Sequence, residues 1–273
     1  MQMELKKFDD VSNNAYWFIF YNDELLVNEN AGSPNIPFIS ANDMVDFELT
    51  EVQDIGSLDG HTCYVASLAT KNIPTGFALK GVRQLYGHTD DRFFWFAFRA
   101  FHVLYWLKNN KFCGCCGCRM NVLATELAVE CVHCNHLEYP RISPAIIVAV
   151  VKDHQILLAH STRFPAGMFS VIAGYVDPGE TLEDCVRREL QEEVGIEVSN
   201  IKYFGNQPWP FPDSLMVAFT AEYAHGIITV DNVEIVEADW FSAHDLPNIP
   251  PKESIARKLI DWFVESECPC TNG

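Results

Sequence analysis

Apolar and polar residues along this chain fall into blocks whose length and period change with position. Near the N-terminus the apolar blocks are short. Ala15-Tyr-Trp-Phe-Ile-Phe20 and Cys63-Tyr-Val-Ala-Ser-Leu68 have the length and the aromatic and β-branched content of buried strands. From Asp91 to Lys108 the chain carries FFWFAFRAFHVLYWL, which has helical length. Its heavy aromatic content predicts a helix buried in a core or interface rather than a base-stacking surface. After Tyr139 the pattern becomes strand, turn and helix. Strands are expected at Ala145–Val151, Gln155–Ala159 and Val171–Ile172, then a helix between Thr181 and Gly195. Further strands are expected near Ile201–Phe204, Leu215–Tyr223 and Val236–Trp240, with a last helix near Ser254–Val264. The run Pro144-Ala-Ile-Ile-Val-Ala-Val-Val151 is far too short to cross a bilayer and reads as a core strand.

These changes divide the 273 residues into an N-terminal domain (1–108), a cysteine-rich insert (109–138) and a C-terminal domain (139–273). Composition alone supports α/β or α+β. Nothing in the first domain identifies chemistry; it suits a degraded duplicate or a dimerisation module.

The helix expected after Thr181 has clear local signals. Thr181 and Asp184 can form a weaker variant of a capping box after the Pro178-Gly179 turn. Leu182, Cys185, Val186 and Leu190 make an apolar stripe, and Gly195 is placed to end the helix in a left-handed conformation. Gly174 and Gly179 allow tight bends and close approach to a ligand. Glu192 and Glu193 lie three and four residues after Glu189, so the three carboxylates share one side. Like charges so placed destabilise a helix unless a cation holds them, and hard divalent ions take such oxygen ligands. The helix therefore reads as a Mg2+ or Mn2+ site.

Gly174, Glu180, Arg188, Glu189, Leu190, Glu192, Glu193, Gly195 and Ile196 have the spacing of the Nudix signature, with seven fixed identities and two apolar positions matched without a gap. The segment resembles that family's metal-binding loop-helix-loop. The resemblance implies an α+β chain whose catalytic domain is an α/β/α sandwich on a mixed sheet. In the family, the arginine at the Arg188 position orients a catalytic glutamate; Arg187 reads as an ordinary surface residue.

Ten cysteines in this arrangement favour metal over disulfides. Cys113-x2-Cys116 and Cys131-x2-Cys134, fourteen residues apart, suit a tetrahedral ion, and the short elements between them form little core without one. Cys115-x2-Cys118 is an equally legal pair, but the glycine after each of Cys113 and Cys116 favours those two as the turn-forming ligands. His133 and His136 are alternative donors. Four protein ligands leave no open position, which points to structural zinc. Cys63 and Cys185 read as core residues, and Cys268-Pro-Cys270 as a weak metal or thiol signal.

Gln207-Pro-Trp-Pro-Phe-Pro-x-Ser214 follows the helix, and its three prolines fix a non-helical backbone suited to a ligand-binding loop. The segment resembles the motif behind the signature in the NADH pyrophosphatases of the Nudix family, with Asn206 where they carry serine. The order of N-terminal domain, four-cysteine ribbon and catalytic domain is also similar to theirs. The resemblance implies cleavage of NADH or NAD+ to NMNH or NMN plus AMP, removal of an NAD cap from RNA, and a homodimer. It further implies Glu189, Glu192, Glu193 and, more distantly, Glu234 as Mg2+ or Mn2+ ligands. Tyr175 and Tyr139, the latter from across the dimer, would stack on bases. Gln207, Trp209, Phe211, Ser214 and Ala256 would contact substrate, with Arg141 and Arg163 as weaker candidates. Either Glu192 or Glu193 could serve as the general base.

Charge narrows the alternatives. A net charge of −18 disfavours extended, sequence-independent nucleic-acid binding but leaves room for one terminal nucleotide. No glycine-rich dinucleotide fingerprint supports an oxidoreductase, so NAD is expected as a substrate. A Nudix hydrolase for ADP-ribose or another dinucleotide, such as a diadenosine polyphosphate, and a non-catalytic nucleotide-sensing or RNA-binding module are the competing readings. No basic leader precedes an apolar stretch, so a cytoplasmic protein without a membrane segment is expected.

Overall fold

The computed structural model describes residues 14–29, 34–44 and 47–267, so Cys268 and Cys270 lie outside the described residues. Its chain divides into two compact units, residues 1–141 with Pro210–Pro212, and residues 142–209 with 213–273. The cysteine-rich segment thus groups with the N-terminal domain.

In the first unit the strands are β1 (Ala15–Tyr21), β2 (Glu24–Asn28), β3 (Phe38–Ile39), β4 (Leu49–Leu58), β5 (His61–Leu68) and β6 (Phe77–Gly81). They form one sheet in the order β4-β5-β1-β2-β6, with β3 also on β1. Residues of β1 alternate between faces, as a strand's must. Trp17 and Ile19 enter one cluster with Leu26 and Ala66. Phe18 and Phe20 meet Phe96 and Phe101 of helix α1 (Asp91–Asn109). Asp90 caps α1 by accepting from the Arg92 N–H, and Phe94, Phe98, Leu104 and Trp106 are buried along the helix. The aromatic run is core, as its composition predicts. Strands β7 (Met120–Val122), β8 (Val129–Cys131) and β9 (Leu137–Glu138) form a separate three-stranded antiparallel sheet.

The second unit holds β10 (Ser143–Lys152), β11 (Gln155–Ser161), β12 (Ile172–Tyr175), helix α2 (Leu182–Val194), β13 (Ile196–Trp209), β14 (Ser214–Gly226), β15 (Ile235–Ser242) and helix α3 (Ile255–Glu267). The sheet order is β13-β14-β10-β11-β15, with β12 also on β10. Both faces of β10 are covered, which explains its unbroken apolar run. Ile146, Val148 and Val150 pack with Val186 and Leu190 of α2, whereas Ile147 and Ala149 pack with Ile255, Leu259 and Phe263 of α3. The result is an α/β/α sandwich on a mixed sheet, since β10 runs parallel to β14 and antiparallel to β11 and β12.

The two sheets share one topology. β1 and β5 form the parallel pair of the first, as β10 and β14 do in the second. A helix follows the last strand in each. The difference is local: between β3 and β4 the described residues of the first sheet hold a short 3-10 turn, Ala41–Met44, where the second has α2. A duplicate without the acidic helix accounts for a domain whose sequence carries no recognisable chemistry.

One expectation needs correction. The Gln207–Ser214 segment is not wholly a loop, because β13 continues to Trp209 and pairs with β14, Gln207 with Met216 and Trp209 with Ser214. Pro208 fits there because β13 is an edge strand, where a missing N–H leaves no neighbour unsatisfied. Only residues 210–213 form the turn.

Candidate active site

Helix α2 is capped at both ends by the residues expected to do so. Thr181 Oγ1 accepts from the Asp184 N–H at 3.1 Å and donates to Asp184 Oδ2 at 2.6 Å. Gly195 closes the helix at φ 70°, its N–H donating to the Gln191 and Leu190 carbonyls. The apolar stripe packs against β10, Glu193 is buried alongside it, Glu189 reaches Gly174 of β12, and Glu192 is exposed.

Arg188 organises that side. Its Nε and Nη2 donate to the two oxygens of Glu180 at 2.8 and 3.0 Å. Nη1 donates to Glu189 Oε1 and Glu192 Oε2, both at 2.9 Å, and Nη2 also reaches the Tyr175 carbonyl at 2.9 Å. The Arg188 fork, helped by the Asp177 N–H, holds the Glu180 carboxyl down at about 2.

The other carboxylates behave differently. Burial pushes Glu189 up, and only Arg188 offsets it. Glu193 is buried, and one of its oxygens, Oε2, has no hydrogen-bond partner among the described residues. Burial, with Glu189, Glu234 and Asp231 close by, pushes its carboxyl up to about 8. Glu192 is exposed beyond its contact with Arg188. A buried carboxylate oxygen without a donor, beside further carboxylates, suits a hard divalent cation. Glu189, Glu193 and Glu234 are the residues that could hold it, with Glu192 at the rim.

Glu234 lies on the loop before β15, near enough for its charge to raise the Glu189 and Glu193 carboxyls. Arg163 Nη2 donates to Glu234 Oε2 at 2.9 Å. Gly174 matters from β12: a Cβ placed there would fall 1.9 Å from Glu189 Cδ. The glycine is therefore what admits the Glu189 carboxylate.

The expected substrate residues are distributed unevenly. Tyr175 and Ser214 meet, hydroxyl to hydroxyl, at 3.0 Å, and the Tyr175 ring is exposed. Gln207 is buried, its Nε2 donating to the Glu253 carbonyl at 2.9 Å while Oε1 has no partner among the described residues. Ala256 lies in the α3 core, so its methyl packs against the sheet. Trp209 is half-buried at the end of β13. The Phe211 ring packs on Phe98 and Phe101, centroids 5.5 and 5.1 Å apart, and lies under Arg83. Tyr139 is exposed just beyond β9, and the Arg141 carbonyl meets His102 Nε2 at 2.8 Å.

The four cysteines Cys113, Cys116, Cys131 and Cys134 converge, and two knuckles of matching geometry hold them. Gly117 N–H donates to the Cys113 carbonyl, as Asn135 N–H does to that of Cys131, and both turn residues have positive φ. Cys115 N–H donates to Cys113 Sγ and His133 N–H to Cys131 Sγ, at 3.3 and 3.5 Å. Sulfur separations of 3.6, 3.4 and 3.5 Å are near the edge of about 3.8 Å in a tetrahedron with bonds of about 2.3 Å. The geometry favours Cys113 and Cys116 over Cys115 and Cys118 as the pair facing Cys131 and Cys134.

Residues 141–263 match the NUDIX domain, and residues 14–106 match the NADH pyrophosphatase-like rudimentary NUDIX domain. The NAD-capped RNA hydrolase NudC of Pseudomonas fluorescens strain Pf0-1 is 43% identical over 219 residues, 80% of this chain and 79% of its own. The NAD-capped RNA hydrolase NudC of Vibrio atlanticus strain LGP32 is 39% identical over 262 residues, 96% of this chain and 94% of its own. This chain belongs to the Nudix hydrolase family. The second match agrees with the shared sheet topology, and a degraded duplicate is the reading of the N-terminal domain that it supports.

Within this Nudix site, one residue escaped the sequence reading. Asp231 Oδ1 accepts the N–H groups of Val233 and Ile235 at 3.2 and 2.9 Å, and Oδ2 that of Glu234 at 3.1 Å. Burial raises the Asp231 carboxyl, but these backbone donors outweigh it and hold it low. The same residue's N–H donates to the Glu193 carbonyl at 3.2 Å, tying the loop to α2. Asp-x-x-Glu is too common a spacing to signal this; the loop had to be seen folded over the helix end. Asp231→Ala is expected to weaken Mn2+ binding by about 10- to 100-fold, with Asp231→Asn keeping most of the affinity because its carbonyl oxygen still accepts. Mn2+ titration of both variants checks this.

Proposed function

We propose that this protein hydrolyses the pyrophosphate bond of NADH or NAD+, releasing NMNH or NMN plus AMP, and removes the NAD cap from RNA to leave a 5'-monophosphate. The observation that carries the reading is the buried Glu193 carboxylate with its unpartnered oxygen, set beside Glu189 and Glu234 on a complete signature. The substrate class is supported by the Gln207–Ser214 motif and by the names of the relatives.

Glu189, Glu192, Glu193 and Glu234 would hold Mg2+ or Mn2+. Such ions polarise phosphoryl oxygens and lower the pKa of an attacking water. Arg188 keeps Glu189 and Glu192 oriented, and Glu192 or Glu193 accepts the water proton. Tyr175 offers an exposed ring to a base while its hydroxyl is fixed by Ser214. Cys113, Cys116, Cys131 and Cys134 would hold a structural Zn2+. The working protein is a homodimer in the cytoplasm, with Tyr139 reaching the partner's site. None of the described helices is long and apolar enough to cross a membrane.

Glu193 adds a pH signature. It must lose its proton to hold a cation, so Mn2+ affinity falls as pH drops below about 8, by up to about tenfold per pH unit. Ion binding should release close to one proton at about pH 6.5 and much less at about pH 8.5. Without Mg2+ or Mn2+ the sign of the stability effect follows from the raised pKa. The protonated form is the favoured one, so stability is lost as pH rises from 4.5 towards about 8. Isothermal titration in two buffers and thermal melts measure both effects.

The direct test quantifies NMNH and AMP from NADH with Mg2+ or Mn2+, with NAD-capped RNA and ADP-ribose in parallel. Equimolar NMNH and AMP are expected, with turnover lowered at least about a hundredfold in Glu192→Gln. Preferential ADP-ribose cleavage would transfer the assignment to that substrate.

A further inference from the structure

We infer a second cation site on the solvent side of the ribbon, held by Cys116, Cys118 and His133 and taking a thiophilic divalent ion such as Zn2+. It rests on the four-cysteine reading, because the Cys116 thiolate would bridge both ions. The three ligand atoms all lie within 4.8 Å of one another. Cys116 and His133 are exposed and Cys118 is half-buried, so the group opens to water rather than into the core.

The repeat between the two knuckles shows how these donors are brought together. Residues 115 and 133 occupy matching places, each giving its N–H to the preceding knuckle sulfur. Residues 118 and 136 also match: the Cys118 carbonyl accepts from Cys113 N–H at 2.7 Å, and that of His136 from Cys131 N–H at 2.9 Å. Four donors therefore surround the central set: Cys115, Cys118, His133 and His136. Only Cys118 and His133 converge with Cys116. His136 is instead paired, its Nε2 meeting Glu138 Oε2 at 3.3 Å.

Sulfur and imidazole donors select zinc and similar ions over Mg2+. A divalent ion inside four thiolates leaves a net negative centre, in a chain of net charge −18, so a second cation there is electrostatically favoured. With three protein ligands, one of them the shared Cys116 thiolate, the fourth position stays open to water. The second ion is therefore held more weakly than the first and exchanges with solution.

The test titrates the full chain with Cd2+ under reducing conditions, in excess Mg2+ to cover the glutamates. Thiolate-to-cadmium absorption counts thiolate-bound ions, and mass-spectrometric metal analysis of Zn2+-dialysed protein checks the ratio. Two ions per chain are expected, one tight and one weak. Cys118→Ser and His133→Ala should each weaken the second by at least about tenfold and leave the first, while Cys115→Ser leaves both. One ion per chain overturns the second site alone, and none overturns the four-cysteine reading with it. A second ion unaffected by Cys118→Ser or His133→Ala, or weakened equally by Cys115→Ser, also overturns it.

Discussion

Gly174→Ala is expected to lower turnover of NADH by about a hundredfold or more while leaving the protein folded. The added Cβ would fall 1.9 Å from Glu189 Cδ and 2.0 and 2.4 Å from its two oxygens. No pair of atoms tolerates that approach, so something must move. Strand β12 is tied to the central strand β10, Gly174 pairing with Ile146, whereas the Glu189 carboxylate is the end of a flexible side chain. The carboxylate is what yields, and it is a proposed metal ligand. Displacing a reacting group by about 1 Å costs on the order of a hundredfold. Gly174 does not have the positive φ that demands glycine, so the substitution tests this contact rather than backbone strain. Turnover and Mn2+ affinity should both fall, while circular dichroism stays that of the parent. A fully active Gly174→Ala protein would show that Glu189 does not hold the metal from this position.

Local order was legible in the sequence; long-range order was less so. The limits of α2 follow from Thr181 and Gly195, because caps act over three or four residues. The side proposed to bind metal follows from three glutamates whose spacing a helix converts directly into position. The apolar run of β10 reads as a buried strand for the same reason. What each glutamate experiences could not be read. Glu180 and Glu193 are the same residue type only a helix apart, yet one is held near 2 by an arginine fork and the other pushed near 8 by burial. Burial and partners come from the fold. Asp231 was invisible because its partners are backbone N–H groups, which every residue has. The prolines of the proline-aromatic segment suggest a loop, but an edge strand accepts a proline, and pairing with β14 extends β13 to Trp209. The split among its aromatics depends on the tertiary fold too: Phe211 packs with α1, and its sequence neighbour Trp209 closes a hairpin.

Arg188→Lys should lower turnover by about a hundredfold and raise the Mn2+ concentration needed for half-maximal activity. The formal charge is unchanged, so any loss reports geometry. In the parent, one planar guanidinium spans Glu180 on one side and Glu189 with Glu192 on the other, with the Tyr175 carbonyl as a further acceptor. A lysine ammonium is a single point with three donors on a different stem. It can serve one side of this arrangement and leaves the other carboxylates to repel each other in a half-buried setting. Glu189 then loses the one group that opposes the upward effect of burial on its pKa, and it holds a proton against the metal at higher pH. The acid limb gives an independent readout. Glu180 is held down at about 2 against an ordinary 4.5, so its pairing stabilises the parent above pH 4.5, and that contribution disappears as pH falls towards 2. Arg188→Lys removes most of that dependence, so parent and variant should differ most above pH 4.5 and converge in acid. Thermal melts across that range test it, and a constant offset between the two proteins would mean the arginine does not act through Glu180.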